Sequence, residues 1–228
     1  PRVRNGLFRR RRIQLQQQGL PGSLVDSTPS VLPRGPVSMP PPGNNHLNST
    51  PVRNPRPHTR FREALSDTPP AEWSNVSLPD GLHFAPCARQ AHHLFPAWRA
   101  AFSPEHPDHY HGSDEQALNA QLTPLLAGQV LGAVMPCSTL AVDETDRVIA
   151  GVIVTNRDGL PWIATVFRQP GPCYVGLGAA LLRRMLADAA ASGLTEIGLV
   201  VSDANPARHL YEKLGFQLTS TSLTVLVP

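Results

Sequence analysis

The chain has 228 residues, three cysteines and a formal net charge of +3, a length that suits one large domain or two small ones. Charge is split along it: residues 1–62 hold eleven arginines against the single acid Asp26, and the remainder holds sixteen acids against nine basic residues. No segment approaches the roughly eighteen apolar residues of a membrane span, and Cys87, Cys137 and Cys173, odd in number and unevenly spaced, form neither a disulfide framework nor a zinc pattern, which points to free thiols in a reducing cytoplasm.

Residues 1–70 carry thirteen of the twenty-five prolines and no sustained apolar period, so they cannot bury enough surface to offset the entropy of ordering. The expectation is a disordered Pro/Arg-rich arm over 1–70 and one compact domain over 71–228. A basic arm could touch nucleic acid, anionic lipid or the acidic domain. Composition alone is a weak warrant for binding, so neither a nucleic-acid nor a membrane partner is assigned. The four arginines at 9–12 imitate the start of a signal sequence, but the glutamine-rich residues 13–18 supply no apolar core, and a cytoplasmic location is expected.

Within the domain, residues 82–85 alternate as a short strand after the Pro79-Asp80-Gly81 turn. Residues 88–102 place Leu94, Trp98 and Phe102 at helical spacing, with Pro96 as a kink. A loop rich in His, Pro and acid follows over 103–113. Residues 114–127 read as a second helix, capped by Ser113 or Asp114, with Leu118, Leu122, Leu125 and Leu126 on one face. Residues 139–143 and 148–155 make a hairpin, and Asn156-Arg157-Asp158-Gly159 turns into a strand over 162–167. Residues 175–192 form a strong helix striped by Leu177, Leu181, Leu182, Met185 and Leu186. The nearly continuous apolar run at 195–202 suits a buried central strand. A last helix over 205–214 and one or two strands over 216–227 close the chain. Strands in a meander followed by strand–helix units predict a mixed sheet with helices on both faces.

Two motifs carry chemistry. Gly176-Leu177-Gly178-Ala179 opens an apolar helix, a turn at which backbone amides come to point at a phosphate. Beyond that helix and one strand, Asn205-Pro206-Ala207 stands at a helix start, and Leu210-Tyr211-Glu212-Lys213-Leu214-Gly215-Phe216 ends where a helix stops and a strand begins. A lone G-x-G marks many ordinary turns; the ordered pair says more. Together they resemble the GNAT superfamily of acyl-CoA-dependent N-acyltransferases.

The resemblance implies an α/β fold of the α+β kind, a GNAT-type mixed, mostly antiparallel central sheet with helices on both faces. It implies acetyl-CoA as co-substrate, no metal, and an acetyl group moved to a primary amine of a small molecule or peptide by direct transfer in a ternary complex. A non-catalytic acyl-CoA sensor or scaffold is the alternative, and the resemblance leaves room for a homodimer. Coenzyme contacts fall on Tyr174, Val175, Gly176, Leu177, Gly178 and Ala179, with Asn205 beside the pantetheine arm, and Tyr211 takes the place of the general acid toward the coenzyme thiolate. Its alternative is a ring packed under the sheet, and that of Asn205 is a plain N-cap. The chain departs from the family where Cys173 stands for Gln or Arg, where Val175 stands for an Arg, and at Pro170, which has no N–H to give. Arg168 and Arg208 are the residues available to restore charge.

The general base stays open among Asp143, Asp158 and His209. Glu105, His106, Asp108, His109 and His111 crowd the loop between the first two helices. Such a set could ligate a metal, but metal sites draw on rigid frames. The expectation is a solvated loop, or one whose acids attract a cationic amine.

Overall fold

The computed structural model describes residues 56–65 and 69–224. The strands are β1 (Arg56–Ala64), β2 (Leu82–Pro86), β3 (Thr139–Asp143), β4 (Val148–Arg157), β5 (Leu160–Arg168), β6 (Glu196–Ser202) and β7 (Gln217–Thr224). The helices are α1 (Ala71–Ser74), α2 (Ala91–Ala101), α3 (Asp114–Ala117), α4 (Thr123–Leu126), α5 (Leu177–Ala191) and α6 (Arg208–Lys213). One sheet of seven strands runs in the order β2-β3-β4-β5-β6-β1-β7. All pairs are antiparallel except β5 with β6. The expected mixed, mostly antiparallel sheet with helices on both faces is what the chain forms.

The boundary expected at residue 70 falls inside the fold. Strand β1 lies between β6 and β7, pairing His58 with Ser202 on one side and Thr59 with Thr221 on the other. Its buried residues are Thr59 and Phe61, alternate positions that point to one face. Between them, Arg60 lays its guanidinium 5.5 Å from the Trp162 ring centroid. An arginine-rich strand is thus held by backbone pairing, one inward aromatic ring and cation–π contact, none of which shows as an apolar period. The part of the expected arm over 1–55 lies outside the described residues.

Helices cover both faces. Leu181, Leu182, Met185 and Leu186 of α5 are buried against Ile149, Val152, Ile163 and Leu199. Each such side chain contributes about 1.5–3 kcal/mol of transfer free energy. On the opposite face, Leu94 and Ala97 of α2 and Leu122 and Leu125 pack on Leu140, Ile153 and Phe167. Strand β4 is therefore buried from Val148 to Thr155 without alternation, as a central strand covered twice must be.

Two helices differ from the sequence reading. Ser113 and Gln116 make a reciprocal capping box at the start of α3, but the expected single helix passes through a π turn, Leu118–Leu122, before α4. Helix α6 begins at Arg208 rather than at residue 205. Among the described residues one strand, β7, follows it, within the one or two expected.

The feature that makes a site is a bulge. Ile153 stands opposite Thr165 and Val154 opposite Ile163, so Ala164 is the extra residue on β5. A bulge bends and twists its strand. Parallel pairing with β6 is confined to Trp162–Gly198 and Ile163–Leu199, and past that point the two strands part. Gly198 permits even this much approach: a Cβ there would lie 2.7 Å from the Trp162 ring.

Candidate active site

Where β5 and β6 part, a cavity of about 350 Å³ opens, walled by Thr165 and Val166 on one side and Val201 and Ser202 on the other. Trp98 of α2, Phe102 just past its end and Leu125 of α4 reach it from one layer, and Tyr211 from α6 reaches it from another. Leu131, on the same wall, holds a left-handed φ of 61°. That conformation costs a non-glycine residue about 1 kcal/mol or more and collects at functional sites.

Tyr211 is 7% exposed, its ring edge-on to Phe216 with centroids 5.7 Å apart. Packing and lining the cavity are thus both true of it. Burial, and secondarily the charge of Asp108, pushes its phenol well above the usual tyrosine range, which keeps the proton on oxygen at neutral pH. The hydroxyl has no hydrogen-bond partner among the described residues.

The glycine turn expected to hold the coenzyme lies at the start of α5. Gly176 takes φ 86° as the residue before the helix, and a Cβ at Gly176 or Gly178 would meet nothing within 4 Å. The first bond of the helix is Ala180 N–H to the Gly176 carbonyl, 3.1 Å. The N–H groups of Leu177, Gly178 and Ala179 find no acceptor among the described residues, the usual state of a helix N-terminus and the donor set an anion takes. These residues fit a pyrophosphate held by main chain. Val175 is 72% exposed and Tyr174 is half-buried in the short 3-10 turn Pro172–Tyr174. The two arginines assigned as replacement charge are engaged elsewhere. Arg168 donates to the carbonyls of Gln169 (3.2 Å) and Gly171 (3.5 Å), and Arg208 pairs with Glu212 at 3.0 Å.

Asn205 does two things. Its Oδ1 accepts from the Ala207 N–H at 2.9 Å and its Nδ2 donates to Asp108 at 2.8 Å. It shapes the turn ahead of α6 rather than capping the helix. The Ser202 hydroxyl donates to the other oxygen of Asp108, and His58 Nδ1 stands 3.5 Å from the Ser202 Oγ. Asp108, His58, Ser202 and Asn205 all line the cavity. Of these, sequence reasoning singled out Asn205 alone as a site residue. Asp108 appeared only as one member of an acid- and histidine-rich loop, and His58 and Ser202 carried no local signal.

None of the three groups considered as base reaches the cavity. Asp143 is locked in the β3–β4 turn, where the Thr145 hydroxyl first, then backbone N–H bonds and Arg147, hold its carboxyl down at about 2. Asp158 sits in the β4–β5 turn at φ 53°, and exposed His209 lies 3.5 Å from Glu212. Among the described residues no group of three or more His, Cys, Asp or Glu is gathered to hold a metal, and no helix is long and apolar enough to cross a membrane.

Residues 91–216 match the family model described as the Acetyltransferase (GNAT) family. No curated protein matches the sequence. Among solved structures, the chain is similar to a GCN5-related N-acetyltransferase from Sphaerobacter thermophilus, with a TM-score of 0.55 and 18% identity over 75% of this chain and 51% of that one. It is also similar to a tandem GNAT protein from the clavulanic acid biosynthesis pathway, with a TM-score of 0.51 and 12% identity over 75% and 53%. A functionally unknown conserved protein from Staphylococcus epidermidis gives a TM-score of 0.51 at 10% identity over 75% and 60%. At these identities the likeness is one of fold, and the chain spans about half the length of the first two proteins.

Proposed function

The chain belongs to the GNAT acetyltransferase family, and from that premise we propose that it is an acetyl-CoA-dependent N-acetyltransferase that transfers an acetyl group directly to a primary amine. The observation that carries this reading is the cavity between β5 and β6, which has Tyr211 in its wall. In this proposal the main chain of 174–179 holds the coenzyme's pyrophosphate, Asn205 lies beside its pantetheine arm, and the thioester enters between the parted strands. The cavity aligns the amine with the carbonyl, and positioning of this kind supplies much of the rate. The bound ammonium first gives one proton to solvent, the free amine nitrogen then forms its bond to the carbonyl carbon, the carbon–sulfur bond breaks, and a second proton leaves the nitrogen for solvent. Tyr211 donates to the departing sulfur and regains its proton from solvent. Because burial makes the phenol a weak acid, the donation accompanies lengthening of the carbon–sulfur bond rather than preceding it.

The test is Tyr211→Phe, which keeps the ring against Phe216 and removes only the donor. With an acceptor amine found by screening a panel for thiol release, turnover falls by about 10² to 10⁴ while acetyl-CoA affinity stays unchanged. Equal turnover in the two proteins, with chemistry rate-limiting, refutes the role. A sensor reading draws support from the uncharged Cys173 and Val175 and from the engaged Arg168. Its signature is acetyl-CoA binding without acetylation of any amine in the panel.

A further inference from the structure

We infer, resting on the acetyltransferase reading above, that the acceptor is a small primary amine with one positive charge on an apolar body and no carboxylate beside its nitrogen, and that Asp108 is the group that anchors it.

The cavity wall sets the class. It is mostly aliphatic and aromatic, with Trp98, Phe102, Leu125 and Leu131 on the helical side, and among the described residues no arginine or lysine lines it. Its ionisable carboxylate is Asp108 alone. An amino acid would bring a carboxylate into a site whose one basic side chain is the imidazole of His58, with no arginine or lysine to meet it and with Asp108 to repel it. A polyamine would place further ammonium groups against aliphatic walls, at a desolvation cost that nothing there offsets. A single ammonium on a ring or short alkyl chain meets one carboxylate and an apolar wall. The volume of about 350 Å³ must also take the tip of the acyl arm, which keeps the amine small.

Asp108 is prepared for such a partner. Several carboxylates elsewhere face arginines: Arg99 on Asp114 at 2.8 Å, Arg184 on Asp188 at 3.0 Å, Arg89 on Asp146. Asp108 instead takes one neutral donor on each oxygen, the Ser202 hydroxyl and the Asn205 amide. These fix its orientation without an arginine or lysine to match its charge; the basic group beside it is the His106 ring, to which the Asp108 N–H donates at 3.1 Å. A carboxylate has about four acceptor positions, so lone pairs remain for an ammonium. The loop that carries Asp108 is itself braced, because Arg99 donates to the carbonyls of Tyr110 (2.9 Å) and Gly112 (3.3 Å).

The experiment is calorimetric titration of the full chain with phenethylamine, with phenylalanine, which adds a carboxylate to the same body, and with spermidine. Phenethylamine binds at least roughly tenfold tighter than either, and Asp108→Asn, which keeps the size of the side chain, weakens phenethylamine at least roughly tenfold, the loss of one charge-assisted contact. The ranking on the unaltered chain tests the proposal whether or not the variant folds. Absent phenethylamine binding, equal binding of phenylalanine or spermidine, or unchanged binding in folded Asp108→Asn overturns it. Titration with acetyl-CoA separates the two readings. If acetyl-CoA does not bind while the amine ranking holds, the acetyltransferase reading fails and the amine site stands. If acetyl-CoA binds and the ranking is absent, only the acceptor class falls.

Discussion

Removing strand β1 unfolds the domain. A chain that starts at Ala71 lacks the strand that pairs β6 from His58 to Ala64 and β7 from Arg56 to Arg62. Two loss terms follow. Phe61, 1% exposed within the α5-side core, is worth about 3–5 kcal/mol by the cost of truncating a buried aromatic. The backbone of β6 loses its partner on that side, and β7 loses its place in the sheet. Against a total stability of about 5–15 kcal/mol, the aromatic term alone takes a large share and the two together exceed what remains. The graded version is Phe61→Ala in the full chain, which at about 2–4 °C per kcal/mol for a domain of this size lowers the melting temperature by on the order of 10 °C. Scanning calorimetry on chains starting at Thr50 and at Ala71, beside Phe61→Ala, makes the comparison. The reasoning is refuted if the chain from Ala71 melts cooperatively within a few degrees of the chain from Thr50.

Gly178→Asp tests the loop without disturbing the fold: a Cβ there meets open space, and an acid in the first turn of α5 suits the helix dipole. Stability holds or rises slightly while calorimetry shows acetyl-CoA binding lost, because a carboxylate then faces phosphate. Alkaline pH destabilises the protein. Burial pushes the thiols of Cys87 and Cys137 from 9.0 to about 11 and raises Tyr211 further. The fold therefore keeps protons that the unfolded chain releases, and stability drops as pH climbs from about 9 toward 11. Urea midpoints at stepped pH record the drop, and Cys137→Ala makes it shallower.

The strands and helices that pack on both faces were legible because their periods are written in apolar residues: the α5 stripe and the unbroken run of β6 each state their environment. The glycine turn and Tyr211 were legible as motifs, since each lies within a few residues of the elements that fix its position. The rest depended on contacts that leave no local trace. Ser202 meets Asp108 across 94 residues of sequence and His58 across 144, so no spacing rule brings them together. The loop around Asp108 advertised acids and histidines, but which of them faces the cavity is decided by Ser202 and Asn205. Strand β1 was invisible for a different reason. Its buried face is Thr59 and Phe61, too short a period to stand out among prolines and arginines. The π turn at Leu118–Leu122 hid inside a pattern that an ordinary helix satisfies equally well.

The short pairing of β5 with β6 also divides the sheet into two parts. Strands β2 to β5 form an antiparallel group, and β6, β1 and β7 form another, held to the first in the sheet by the two paired positions at Trp162 and Ile163. The earliest described strand can complete its pairing only after the last has been made, so the second group closes through contacts of very long sequence separation, the slow kind. The cavity lies on the seam between the groups. A molecule bound there touches both and binds only the closed sheet, so at a concentration of about 100 times its dissociation constant it adds about 2.7 kcal/mol to stability. A ligand there is thus also a clasp: it fastens the half of the sheet that long-range pairing closes to the half built from neighbouring strands.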